Sequence, residues 1–145
     1  MRADKESDGI FSDRAPEPVG LYPHARRTGN LLFLSGVGPR ARGRKEIPGV
    51  VLDDAGDVVS YDIEVQCRSV FDNVRHILED AGSSWDEILD VTVFLTDMKR
   101  DFPAFNRIYG ERFQRNRPAR TTIEVNALPT PIAIELKVIA TISEG

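Results

Sequence analysis

The last segment of the chain sets the strongest limit on its fold. Between residues 132 and 142, Ile132, Ile134, Leu136, Val138, Ala140 and Ile142 alternate with Ala133, Glu135, Lys137, Ile139 and Thr141. A period of two sends successive side chains to opposite faces of a strand. Both faces here carry apolar residues, so the strand belongs to a sheet that must be covered on both sides.

Helical spacing supplies one cover. Ile63, Cys67, Val70, Phe71, Val74, Ile77, Leu78 and Ala81 recur every three or four residues, with Ser60 or Asp62 as the cap and Gly82 as the stop. A second helix is predicted with Asp101 as its cap and Pro103 in its first turn. Its inward stripe is Phe105, Ile108, Tyr109 and Phe113, and Arg115-Asn116-Arg117-Pro118 ends it. Strands are predicted at 31–35, closed by Gly36 and Gly38, at Val58 and Val59, at 91–96 and at 120–126. Residues 40–57 read as a loop or irregular hairpin, and 120–126 as the antiparallel partner of the closing strand. This order predicts an α+β sandwich, one mixed sheet with two helices on one face. The bare face then calls for a second copy of the same chain.

A length of 145 residues suits one domain. Residues 1–18, which include Pro16 and Pro18, read as a flexible tail, and 19–145 as a single domain. No apolar run approaches the roughly 18 residues of a membrane span, and the start lacks a signal core, which predicts a soluble, cytoplasmic protein. Cys67, the only cysteine, lies on a helix's apolar stripe and reads as a packed thiol. With only His24 and His76 beside it, soft ligands are too few for a typical zinc or iron–sulfur site, and no metal is expected.

The net charge of −4 offers nucleic acid or an anionic membrane no general attraction. Yet no acid occurs from His24 to Lys45, a stretch holding Arg26, Arg27, Arg40, Arg42, Arg44 and Lys45. It reads as a solvated loop or as an anion-binding mouth, and least well as a nucleic-acid patch, because aromatic residues are not interleaved with its cations. Two side chains further on invite chemistry. Arg120 begins a strand, where its planar fork would match a carboxylate or serve an ordinary salt bridge. Glu135 is an acid in an otherwise apolar strand, either a proton acceptor with a raised pKa or the partner of a structural cation. Gly36-Val37-Gly38-Pro39-Arg40-Ala41 imitates a dinucleotide fingerprint, but no helix follows to hold a pyrophosphate.

Gly20-Leu21-Tyr22, Leu34-Ser35-Gly36, Phe71-Asp72-Asn73-Val74, Val91-Thr92-Val93-Phe94-Leu95-Thr96-Asp97, Phe105-Asn106, Arg117-Pro118-Ala119-Arg120-Thr121-Thr122 and Ile134-Glu135-Leu136-Lys137 occur in that order. Together they resemble the RidA/YjgF (Rid) family of reactive-intermediate deaminases from Val19 onward. The resemblance implies a chorismate-mutase-like fold and a homotrimer with sheets facing a central barrel, with clefts between subunits; pairing of trimers into a hexamer stays open. It also implies cofactor-free hydrolysis of enamines and imines to 2-oxo acids and ammonia. By motif position Arg120 would hold the substrate carboxylate and Glu135 would activate water. Tyr22, Ser35 and Asn106 would line the cleft, with Phe94 against the substrate. Thr122 stands where the family commonly has cysteine, so a thiol role is absent there, and its hydroxyl would bind water or substrate instead.

Within the family, Tyr22-Pro23-His24-Ala25-Arg26-Arg27 is most similar to 2-aminomuconate deaminases of bacterial aromatic degradation. That substrate is a dicarboxylate, and Arg26, Arg27 or His24 would meet its second end. The alternatives are a broad-specificity deaminase of the 2-aminoacrylate type and a non-enzymatic ligand-binding trimer.

Overall fold

In chain order the elements are β1 (Ala25–Thr28), β2 (Leu31–Leu34), β3 (Val50–Leu52), β4 (Val58–Tyr61), α1 (Ile63–Asp80), β5 (Ile88–Leu95), α2 (Met98–Arg112), β6 (Ala119–Glu124) and β7 (Ile134–Thr141). The structure is a computed structural model that describes residues 9–143. Five strands form one sheet in the order β1-β2-β7-β5-β6, and β3 pairs with β4 in a separate hairpin. Only β5 and β6 run parallel; every other neighbouring pair is antiparallel. The expected α+β sandwich with a mixed sheet is therefore found.

Expected pairing of the last two strands is not. β5 lies between β6 and β7 and pairs with both. The cause is α2: a helix joining two strands of one sheet is a crossover, which returns the chain parallel to its first strand. β6 is left at the edge, while β7 threads between β2 and β5. β1, not foreseen in the sequence, forms the opposite edge.

α1 begins where predicted. The Asp62 side chain accepts from the backbone N–H of Glu64 at 2.9 Å and of Val65 at 3.3 Å, and Gly82, at φ 89°, closes the turn after the helix. α2 begins earlier than expected, because Asp97 rather than Asp101 is its cap and accepts from the Arg100 N–H at 3.1 Å. Asp101 is instead buried within the helix, where the Tyr61 hydroxyl donates to it at 2.6 Å. Pro103 thus lies inside α2 rather than in its first turn.

The core fills the space between the helices and one sheet face. Val70, Phe71, Val74, Leu78, Phe105 and Ile108 meet Leu32, Leu34, Val93, Leu95, Leu136 and Val138, all fully or nearly fully buried. Each such side chain contributes on the order of 1.5–3 kcal/mol by leaving water. Cys67 is among them, and burial pushes its thiol up to about 12. On the other face Phe33, Phe94, Ile123 and Ile139 stay partly exposed beside Glu135 and Lys137, and no element of the described chain is layered over them.

Of the tail expected over residues 1–18, residues 1–8 lie outside the described residues. From Ile10 the segment packs on the domain: Ile10 bridges Ala25, Ala15 is fully buried, and the Ser12 hydroxyl donates to Asp80 of α1 at 2.6 Å. The packed chain thus starts ahead of Val19, because Ser12 and Arg14 both bond to Asp80 and Ala15 is buried. No helix among the described residues is long and apolar enough to cross a membrane.

Candidate active site

The end of β2 and the start of β7 build one wall. Backbone hydrogen bonds between Val37 and Leu136, at 2.8 and 2.9 Å, hold the chain after β2 against β7. Gly36 is thereby laid on Glu135, so closely that a β-carbon there would stand 2.3 Å from Oε2. Ser35 Oγ donates to the Pro23 carbonyl at 2.7 Å, and the Tyr22 hydroxyl accepts from the Val19 N–H at 3.2 Å. Tyr22, Ser35, Gly36, Arg40, Thr130 and Glu135 line a cleft of about 340 Å³.

Glu135 is half-buried, and no hydrogen bond or ion pair reaches its carboxylate among the described residues. Burial raises its pKa above the ordinary 4.5. The salt-bridge alternative thus finds no partner among the described residues. Lys137, next on the same face, donates to the Leu34 carbonyl instead, and burial lowers its pKa. Phe94 pairs across the strands with Glu135 and with Ile123, which sets its ring beside the acid.

Arg120 is elsewhere. It pairs with Val91, whose side chain is buried on the helix side, so Arg120 faces α2 and not the Glu135 face. Its Nη1 donates to Asn106 Oδ1 at 2.9 Å, and its guanidinium carbon lies 4.6 Å from the Tyr109 ring centroid and 5.4 Å from that of Phe105. No carboxylate of the described residues is within ion-pair distance. Neutral oxygen and aromatic faces orient the cation without neutralising it, which leaves its fork for an external anion. Thr122 follows on the same side. The structure therefore assembles Arg120, Asn106 and Thr122 on one side and Tyr22, Ser35, Phe94 and Glu135 on the other.

The three residues proposed to meet a second carboxylate are not gathered at the cleft as a set. His24 is buried; its Nδ1 accepts from the Ser12 N–H at 2.9 Å, and its Nε2 is 2.7 Å from the Pro16 carbonyl. With an N–H pointing at Nδ1, the ring proton belongs on Nε2, so this ring fastens the N-terminal segment. Arg27 Nε donates to the Gly29 carbonyl at 2.8 Å. Arg26 is exposed on the edge strand, opposite Phe33, and so level with Ile139 rather than Glu135.

What sequence reasoning missed is Arg40, which belongs to the same basic stretch and lines the cleft. Its loop is fixed from α1: Asn73 Nδ2 donates to the carbonyls of Gly38 at 2.9 Å and Arg40 at 2.8 Å, and Ser69 Oγ to that of Pro39 at 2.8 Å. The signal was present as a buried Asn on an apolar helix stripe. Among the described residues, no three His, Cys, Asp or Glu side chains come together to hold a metal ion.

This architecture is shared. A family model described as Endoribonuclease L-PSP (Ribonuc_L-PSP) matches residues 12–142. The chain belongs to the Ribonuc_L-PSP family, that of the RutC and YjgF proteins. It is 40% identical over 131 residues to a RutC family protein of Pyrococcus horikoshii, covering 90% of this chain and 94% of that one. It is 34% identical to the Arabidopsis thaliana protein named Reactive Intermediate Deaminase A, chloroplastic, over 92% of this chain and 65% of the relative. The YjgF structure from E. coli superposes with a TM-score of 0.78 at 32% identity, covering 91% of this chain and 97% of that one. E. coli TdcF, solved with bound serine, gives 0.78 at 31% identity, over 92% and 98%. The α+β fold of this Ribonuc_L-PSP member is thus the chorismate-mutase-like fold of YjgF.

Proposed function

We propose that this family member is a deaminase that hydrolyses enamine or imine acids, with 2-aminomuconate as its substrate and a homotrimer as its working form. The observation that carries the reading is the pair of unmatched charges: Arg120 oriented by neutral groups, and Glu135 half-buried without a donor. Within one chain they face away from each other. A cleft shared with a neighbouring copy would bring one chain's Arg120 to another's Glu135, and the bare apolar sheet face supports such association.

In this reading Arg120 grips the substrate carboxylate through two parallel hydrogen bonds. Protonation of the enamine at carbon gives an iminium ion, whose carbon is then open to water. Glu135 takes a proton from that water as the C–O bond forms. The carbinolamine expels ammonia as the C–N bond breaks, leaving the 2-oxo acid, here 4-oxalocrotonate. One water is consumed and no electron changes hands. The relative named as a reactive-intermediate deaminase supports this reaction class. A ribonuclease has less support, because a net charge of −4 gives a polyanion no long-range attraction.

The test is the rate of ammonia release from freshly generated 2-aminomuconate, with the spontaneous rate subtracted. Enzyme-dependent release that falls in Arg120→Ala and Glu135→Gln is the expected result. Release at the spontaneous rate by the wild type, or wild-type rates in both variants, would overturn it. A wild type that prefers 2-aminoacrylate would point to a broad deaminase instead.

A further inference from the structure

We infer that Arg40 is the residue that selects a second negative group on the ligand, so that the completed cleft takes dicarboxylates in preference to monocarboxylates. The inference rests on the deaminase reading only for Arg120 as the first anchor. Arg40 lines the same cleft as Glu135, on the same chain, and is partly buried. Its Nη2 donates to the Glu17 carbonyl at 2.7 Å, a neutral acceptor that fixes the side chain but leaves its charge uncancelled. No carboxylate of the described residues pairs with it. Five N–H donors in a fork, with one spent on a carbonyl, leave enough to grip a carboxylate.

Its neighbours hold it there. Asn73 and Ser69 tie the backbone from Gly38 to Arg40 down to α1, so the cation is carried on an anchored loop. Such anchoring lowers the ordering cost of binding. The next arginine contrasts with it: Arg42 Nη1 is spent on the carbonyls of Ser12 at 3.1 Å and Ala15 at 2.9 Å, away from the cleft lining. A cleft wall that bears one acid for water and one unneutralised cation would have little use for the cation if the only carboxylate bound were that held by Arg120.

The experiment compares hexanedioate with hexanoate, equal in length and differing in one carboxylate, by calorimetric titration of the full-length protein. The wild type is expected to bind the diacid at least tenfold more tightly. Arg40→Met should abolish that ratio and Arg40→Lys should keep part of it, with melting temperatures showing that both variants fold. Equal affinities in the wild type, including no measurable binding of either acid, would overturn the inference, as would a ratio that survives in Arg40→Met. Ammonia release is scored separately. A diacid preference without deamination would sink the proposed reaction but not the role of Arg40, and deamination without the preference would do the reverse.

Discussion

The carboxylate of Glu135 lies against the α-carbon of Gly36, where no β-carbon has room: Oε2 would be 2.3 Å from one. Gly36 is needed for closeness rather than for an unusual backbone angle, since its φ is not among the positive ones. The displaced group in Gly36→Ala would be the end of a flexible side chain, so the fold should tolerate it. We expect a melting temperature near wild type with kcat down on the order of 10- to 100-fold, because Glu135 is pushed off its position. Loss of folding in that variant, or full activity, would contradict this.

Arg120 gives a second prediction. Replacing it with Ala removes charge-assisted hydrogen bonds of about 1.5–3 kcal/mol, so kcat/KM should fall roughly 10- to 150-fold. Arg120→Lys keeps the charge but loses the planar fork and should recover only part of that. Steady-state kinetics on an enamine acid checks both. Equal values for Lys and Arg would mean that no paired hydrogen bond is made.

The pH dependence follows from Glu135. Its pKa is raised by burial, so as a proton acceptor it should give kcat/KM an acid limb centred above 4.5, with activity lost as pH falls through the raised value. Stability has the opposite sense. The folded state holds this proton more tightly than the unfolded one, so the group costs nothing below the ordinary value and destabilises as pH rises through the raised one. Glu135→Gln should abolish the acid limb and flatten that part of the stability profile. A limb that persists in Glu135→Gln would assign it to another group.

Cys67 offers a check on the core. Its thiol is fully buried and pushed up to about 12, so a thiol reagent at neutral pH should label the protein only on unfolding. Labelling of the native state at the rate of a free thiol would show the helix layer opening.

Much of this was legible because periodicity reports local geometry. The stripe from Ile63 to Ala81 and the alternation through Glu135 placed α1 and β7 and marked the lone acid. Arg120 was singled out by its place at a strand start, and Asn106 only by its place in a motif. That Arg120 and Glu135 face opposite ways was hidden, because strand alternation gives the two faces of each strand but not which face of one matches which of the next. Strand order supplies that link, and it turned on recognising α2 as a crossover. Asp101 was read as a cap from its side-chain chemistry alone, whereas the tertiary partner that buries it, Tyr61, lies far back in the chain. Arg40 was lost among its basic neighbours because charge composition does not tell a pinned side chain from a solvated one.

The opposed placement of Arg120 and Glu135 also bears on inheritance. For an enzyme assembled from neighbouring copies, a lesion at Arg120 leaves the acid half of every chain sound, and a lesion at Glu135 leaves the cationic half sound. Two dead alleles, one of each kind, expressed in the same cell would then build some clefts from their two healthy halves and complement each other, while either allele alone stays silent.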